Sequence, residues 1–252
     1  MMKNLIFLYI FAGLFFSAII SCKKDVQPQT LTALTIINAL QGGDFLAANF
    51  NEQRPAAGLG VPMWIKYRIY SPNNHLSLPS KEQPVLIYKI PDTNANDKPI
   101  YKMSLNLSPN EASTLFLFGT LSQPEMLLVN KKPPFHALTD SVMGLRLINL
   151  SPDKRPVSVK ISGNGTDKTI NNLGYKQVTD YLSVNATSAT TDVLIEFYDQ
   201  ASGSLLTRYT LKDVGSTNAE VNKWRYRNYT MVWLPNDAQG NLADDPFMVY
   251  DF

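Results

Sequence analysis

The feature that most restricts the fold of this chain is an internal repeat of short apolar segments. Residues 33–40 match residues 144–151, and residues 85–87 match residues 193–195 at nearly the same spacing. Further matches follow in the same order: Tyr67 with Tyr175, residues 100–105 with 206–211, and residues 115–117 with 231–233. Ordered self-similarity of this kind indicates one structural unit present in two copies.

Each copy has the pattern of short β-strands. Apolar and polar residues alternate in residues 64–69, 101–107 and 157–162, which places successive side chains on opposite faces of a strand. Clusters of Pro, Asn, Asp and Gly, such as residues 236–241, separate these segments as turns. With about seven such segments in each copy, the sequence predicts an all-β chain of two tandem immunoglobulin-like antiparallel β-sandwich domains.

The expected domains are residues 31–131 and 142–252, joined by a linker at 132–141. The linker follows Lys131 and contains two consecutive prolines, which disfavour continued strand pairing. The chain has a single cysteine, so it has no internal disulfide. Its stability must come from apolar burial, for which a hydrophobic content of 44% is ample.

The first 21 residues have the form of an export signal. Lys3 precedes the uncharged segment 5–20, which is shorter than the roughly 20 residues of a membrane-spanning helix. Residues 19–22, Ile-Ile-Ser-Cys, resemble a lipobox, in which cleavage precedes a lipidated cysteine. We therefore expect lipidation of Cys22 and a polar flexible spacer at 22–30. The alternative is an ordinary signal peptide that leaves Cys22 as a free thiol.

The second copy resembles the opening of the DUF4397 domain, where a strand ends in Asn-x-Ser-Pro-Asp and a second strand follows. Residues 144–153 and 156–161 match that opening, and residues 173–176 and 193–199 fit the middle strands of the domain. The first copy departs from the pattern, with Gln41 and Gly42 where the second has Pro152 and Asp153. The resemblance implies a β-sandwich and supplies no catalytic residues, because the family pattern contains none.

The layout of a Cys-Lys-Lys-Asp start followed by paired domains is similar to envelope lipoproteins of Bacteroidota. This similarity implies a lipid anchor in the cell envelope, at the outer membrane, with the periplasmic and surface-facing orientations both open. The formal net charge of +2 gives no electrostatic reason to expect nucleic acid as a partner.

Groups for catalysis or metal binding are sparse. The only histidines, His75 and His136, have no partner at metal-ligand spacing, and we expect both to be solvated. An oxygen-rich segment near the C-terminus does not match the spacing of a calcium loop; it contains Asp237, Asn241, Asp244 and Asp245. The sequence therefore predicts no cofactor, no metal ion and no catalytic site. The alternative is a hydrolase of an envelope polymer whose active site has no recognisable sequence motif.

Two equivalent asparagines and one aromatic segment stand out. Asn38 and Asn149 occupy the same place in each copy, and we expect both to bond backbone groups of the turn after the first strand. Residues 223–229 interleave basic and aromatic residues. Alternation puts Trp224 and Tyr226 on one face, as candidate residues for stacking on a ligand. The alternative is that these rings pack a loop.

The linker also contains a candidate modification site. Ser141 lies in Asp-Ser-Val, which resembles the O-glycosylation acceptor of Bacteroidota. Together these features predict a noncatalytic envelope lipoprotein whose tandem sandwiches act as a binding or scaffold module for a glycan or a protein partner.

Overall fold

The described part of the chain contains sixteen β-strands, arranged in four sheets of four strands each. The computed structural model describes residues 30–50, 63–70, 74–91, 98–130, 132–163, 165–218, 223–235 and 246–251. Cys22 and the expected signal and spacer lie outside these residues, so the lipoprotein start stays a prediction. No helix among the described residues is long and apolar enough to cross a membrane.

The first eight strands form the first sandwich. They are β1 (Leu31–Gln41), β2 (Phe45–Asn49), β3 (Met63–Lys66), β4 (His75–Pro79), β5 (Glu82–Lys89), β6 (Tyr101–Asn106), β7 (Ala112–Thr120) and β8 (Pro124–Asn130). Their inner sheet has the order β4-β1-β7-β8, and their outer sheet has the order β3-β2-β5-β6. Apolar side chains from both sheets, among them Leu34, Leu46 and Leu115, form the core between them.

The second eight strands form the second sandwich. They are β9 (Val142–Asn149), β10 (Val157–Gly163), β11 (Thr166–Leu173), β12 (Leu182–Asn185), β13 (Val193–Asp199), β14 (Leu205–Leu211), β15 (Asn228–Trp233) and β16 (Phe247–Asp251). The inner sheet has the order β12-β9-β15-β16, and the outer sheet has the order β11-β10-β13-β14. The core between them includes Leu145, Val159 and Phe197.

The two sandwiches have the same strand order, which confirms the predicted fold class and the internal repeat. Among the described residues, each copy has eight strands, one more than the sequence pattern suggested. The pairs β1–β7 and β9–β15 are parallel, whereas the other strand pairs are antiparallel. The exact domain boundaries stay predictions.

A third apolar cluster lies between the two inner sheets. The first sandwich contributes Ile37, Phe116 and Phe118, and the second contributes Ile148, Val232, Phe247 and others. The inner sheets are therefore covered on both faces, and the residues of their central strands are buried on both faces as well. Residues 31–252 accordingly pack as one unit.

Polar contacts between the sandwiches are reciprocal. The Arg68 guanidinium of the first sandwich lies 5.5 Å from the ring centroid of Phe247, and Lys176 Nζ of the second lies 5.5 Å from that of Phe118. Lys176 also forms an ion pair of 2.6 Å with Glu125. The same loop of each copy thus contacts an aromatic ring of the other copy.

The two equivalent asparagines bond the turn after the first strand in both copies, as predicted. Asn149 Nδ2 donates to the carbonyls of Arg155 and Leu173, each at 2.9 Å, and its Oδ1 accepts from the Ser151 amide. Asn38 makes the equivalent set of three bonds. Both side chains are fully buried, so each satisfies backbone groups that water cannot reach.

Candidate binding surfaces

Trp224 lies in the core, and the prediction that its ring is available to a ligand is wrong. Its side chain is 6% exposed and packs on Tyr229, with ring centroids 5.1 Å apart. The indole Nε1 donates to the Lys212 carbonyl at 2.7 Å. The strand begins only at Asn228, so strand alternation does not apply at residue 224.

Tyr226 holds the linker. Its hydroxyl donates to the Leu138 carbonyl at 2.7 Å, and its backbone has the left-handed φ of 63°. The ring is half-buried, so the stacking role predicted for it stays untested. Tyr229, Met231 and Trp233, which alternation placed in the core, are buried as predicted.

Ser141 immediately precedes β9 and is half-buried. Its carbonyl accepts a hydrogen bond of 2.9 Å from the Ala186 amide, and its φ is 40°. O-glycosylation of Ser141 stays a prediction. The acidic segment at residues 237–245 lies outside the described residues. Within the described ranges, no group of three or more His, Cys, Asp or Glu residues is placed to hold a metal ion.

Neither histidine is freely solvated, contrary to the sequence prediction. His75 is part of β4, and its Nδ1 lies 2.9 Å from Thr35 Oγ1. Burial lowers the pKa of His75 below its usual value. His136 Nε2 lies 2.8 Å from Asn228 Oδ1. Both predictions failed because each histidine lies against the inner sheets, a contact that sequence spacing does not report.

An exposed aromatic pair lies on the outer sheet of the first sandwich. Trp64 is 54% exposed and Phe45 is 37% exposed, with ring centroids 6.1 Å apart in an edge-to-face arrangement. Lys66 Nζ lies 5.9 Å from the Phe45 ring centroid. The three side chains bring together an apolar ring surface and a cation.

Strand register explains why these side chains share one face. Phe45 pairs with Lys66, and Ala47 pairs with Trp64, so the residues at these positions project to the same side of the sheet. The intervening Leu46 and Ile65 point into the core. Alternation in the segment Trp-Ile-Lys places Trp64 on the same face as the charged Lys66, so it could have indicated that the Trp64 ring projects outward.

A second feature is a cavity of about 370 Å³ beside the linker, which we call the linker cleft. It is lined by Pro134, His136, Asp140, Val142, Gly144, Tyr181, Leu182 and Ser183. Next to it, Phe135 is 91% exposed and Leu138 is 80% exposed. A cavity of this size is within the range of small-ligand pockets.

Gly144 allows the linker to lie against β9. A Cβ atom at this position would come within 2.0 Å of Asn228 Oδ1 and 3.1 Å of His136 Nε2. Asn228 Nδ2 also donates to the Pro134 carbonyl at 2.9 Å. Asn228 therefore binds the linker twice, next to the glycine, and positions Pro134 and His136, which both line the cleft.

A buried charged cluster lies next to the cleft. Arg146 is 1% exposed; its Nε donates to Thr230 Oγ1 at 2.9 Å and its Nη2 to Asp251 Oδ1 at 3.3 Å. The Tyr181 hydroxyl donates to Asp251 Oδ2 at 2.9 Å, and its ring lies 4.7 Å from the Arg146 guanidinium carbon. Burial raises the pKa of Asp251 although Arg146 lowers it.

The space beside this cluster is too small for a polymer substrate. Asp251 and His75 line one chamber, and both have shifted pKa values, as catalytic groups often do. The chamber has a volume of only about 10 Å³, which is the space of about one water molecule. It therefore excludes a polymer segment, and the cluster is best understood as a buried ion pair that joins β9, β15 and β16.

No family model matches the chain, so its resemblance to the DUF4397 domain stays a prediction. No curated protein matches the sequence either.

Among solved structures, the chain is similar to a streptococcal virulence factor that binds α-glucan. The identity is 12%, over 88% of this chain and 97% of that chain, with a TM-score of 0.27. Streptococcal family 41 carbohydrate-binding modules align at 10% identity over 82% of this chain and 94% of that chain, with a TM-score of 0.25. A candidate cell-adhesion protein from Bacteroides uniformis aligns at 9% identity over 88% of this chain and 97% of that chain, with a TM-score of 0.23. TM-scores this low carry no argument about a ligand.

Proposed function

We propose that this chain is a noncatalytic binding protein of the cell envelope, anchored through lipidated Cys22, and that its ligand is a glycan. The observation that carries the proposal is the exposed pair of Trp64 and Phe45 with Lys66 beside it. Covering a large aromatic ring that is exposed to water at a sheet surface with another apolar surface is favourable, because it removes apolar area from water. The C–H face of a sugar ring offers such a surface.

The neighbouring groups also suit a sugar. Lys66 can donate hydrogen bonds to hydroxyl groups at the edge of a sugar stacked on Trp64. The rings of Phe45 and Trp64 are inclined at 63° to each other. A sugar stacked on the Trp64 indole can therefore contact Phe45 with the edge of its own ring. The proposed site needs no catalytic group.

A protein partner is the second candidate, and Phe135 and Leu138 favour it. Both side chains are almost fully exposed on the linker, where they cost free energy unless another surface covers them. The glycan candidate and the protein candidate thus rely on different exposed residues of the chain. Substitutions at one place leave the other intact, so the two candidates can be tested separately.

An oligosaccharide array tests the glycan proposal. Full chain in detergent is applied to α-glucan, β-glucan and peptidoglycan fragments, alongside Trp64→Ala, Trp64→Phe and Met126→Ala variants. We expect Trp64→Ala to weaken binding about tenfold or more and Trp64→Phe to retain part of it. Met126 is 46% exposed and is the matched control, because it removes apolar surface without a ring.

Two outcomes would reject the glycan proposal. One is an array on which no glycan is retained above background. The other is binding that Trp64→Ala leaves unchanged. If a protein captured by the parent chain is lost from a Phe135→Ala variant but kept by Trp64→Ala, the second candidate replaces the first.

A further inference from the structure

The hydrogen bonds around the linker cleft determine which donor and acceptor groups it offers to a ligand. Asn228 Nδ2 donates to the Pro134 carbonyl, so Asn228 Oδ1 is the acceptor that faces His136. His136 must then carry its proton on Nε2, which donates to that oxygen. In the neutral imidazole, Nδ1 is left as an acceptor.

The other polar groups of the cleft are also rich in acceptors. Asp140 is exposed, and its oxygens accept from the Ala137 amide at 3.1 Å and from the Thr139 hydroxyl at 3.2 Å. Each oxygen keeps a further acceptor position. The Tyr181 hydroxyl already donates to Asp251, which leaves the Ser183 hydroxyl as the one side-chain donor among the lining residues with no described partner. Acceptor positions therefore outnumber free donors, which favours a ligand that supplies donors.

The remaining walls are apolar. Pro134, Val142 and Leu182 line the cleft together with Tyr181. No lysine or arginine is among the lining residues of the described chain, so the Asp140 carboxylate sets the sign of the charge. A cavity with one negative group, several acceptors and apolar walls suits a small molecule with a positive donor at one end and an apolar body.

We propose that the linker cleft binds a small organic ammonium compound. Its ammonium group meets Asp140, and its apolar body lies against Tyr181, Val142 and Leu182. This site is separate from the aromatic pair on the outer sheet and does not depend on glycan binding there.

Three probes with the same ring test the charge preference: phenethylamine, 2-phenylethanol and phenylacetate. The full chain in detergent is titrated with each, and the imidazole proton resonances are followed by NMR. The chain has two histidines. We expect the His136 resonances to shift with saturation while those of His75 stay in place, because only His136 lines the cleft.

The expected order of affinity is amine, then alcohol, then acid. Because Asp140 is exposed, the amine should exceed the alcohol by only about threefold at low salt, and 0.5 M salt should remove the difference. In Asp140→Asn the amine and the alcohol should bind equally, since the amide keeps one acceptor oxygen for the loop but loses the charge. Asp167→Asn, which removes an exposed carboxylate from β11, should keep the threefold preference.

Several results would overturn the proposal. These are no saturable shift of His136 with any probe, an acid that binds as well as the amine, or a preference that survives in Asp140→Asn. A Gly144→Ala variant gives an independent check, because its Cβ would displace Asn228 and His136, and His136 lines the cleft. If it folds, it should lose the His136 shift; a retained shift would place the probe elsewhere.

Discussion

At the scale of single residues, the surroundings of a side chain decide its role as much as its residue type does. Asn38 and Asn149 are polar and completely buried, and each bonds three backbone groups. Trp64 and Trp224 are both aromatic, yet one is exposed and the other is buried with its indole nitrogen bonded. The asparagines could be predicted because the repeat placed them at equivalent positions. The tryptophans could not be distinguished by residue type.

Asn149→Ala should destabilise the protein strongly. It leaves the carbonyls of Arg155 and Leu173 and the amide of Ser151 without their partner, at a cost of about 3 kcal/mol in the free energy of unfolding. Urea unfolding followed by circular dichroism measures the change. The control is Asn171→Ala on the exposed face of β11, which should stay within about 0.5 kcal/mol of the parent.

Cys22→Ser tests the proposed anchor directly. A serine cannot accept the thioether-linked lipid, so we expect the variant to lose labelling by radioactive palmitate and to leave the membrane fraction. Ser21→Ala, which retains the cysteine and a small residue before it, should keep both. Palmitate labelling that persists in Cys22→Ser would contradict lipidation at this residue.

At the scale of strands and sheets, the sequence predicted the elements better than their surroundings. Period-two alternation predicted β6 and β10 closely, because each has one face on a core and one toward water. In β15, all six residues are buried, since its inner sheet is covered by the outer sheet on one face and by the first sandwich on the other. Alternation within a strand does not report that second layer. For the same reason, the buried position of Arg146 in β9 could not be anticipated.

The cluster of Arg146 and Asp251 gives a prediction about pairing within the inner sheet. Arg146→Met should cost about 3–5 kcal/mol, because it leaves the buried Asp251 carboxylate without its cation. Adding Asp251→Leu should recover much of that loss, since the unpaired charge is then removed. Urea unfolding of the single and double variants measures the coupling.

The matched control for this pair is Arg208→Met. Arg208 forms an ion pair of 2.8 Å with Glu196, but its side chain is largely exposed. Its loss should therefore cost less than about 1 kcal/mol. A similar cost for Arg146→Met and Arg208→Met would contradict the view that burial makes the first pair critical.

At the scale of the whole molecule, the two copies contact each other through like surfaces. Each inner sheet covers the other, and the loop with Arg68 and the loop with Lys176 each reach an aromatic ring of the opposite copy. An interface in which both partners use equivalent surfaces is typical of twofold dimers. Here the linker joins both partners in one chain.

Glu125 makes this interface sensitive to acid. Burial raises its pKa, but hydrogen bonds from Lys176 and Tyr175 outweigh burial and hold the pKa below its usual range. A carboxyl group with a depressed pKa stabilises the fold above its unfolded value of about 4.3, and loses that effect as the pH falls through the folded value.

Glu125→Gln should therefore lower stability by about 0.5–1 kcal/mol at pH 7, the modest value expected for a partly exposed pair. The difference from the parent should shrink as the pH falls below about 4. Thermal unfolding across this pH range measures it, with Glu82→Gln at an exposed hydrogen bond to Ser104 as the control. A Glu125→Gln deficit that is constant with pH would exclude this linkage.

The measurement that tests the glycan proposal most directly is ¹⁹F NMR of the chain labelled with 5-fluorotryptophan. The chain has three tryptophans, and Trp224 and Trp233 are buried. On titration with a mixture of α-glucan, β-glucan and peptidoglycan fragments, the proposal predicts a saturable shift of the Trp64 resonance while the other two stay in place. A Trp64 resonance that stays unchanged at saturating glycan would contradict it.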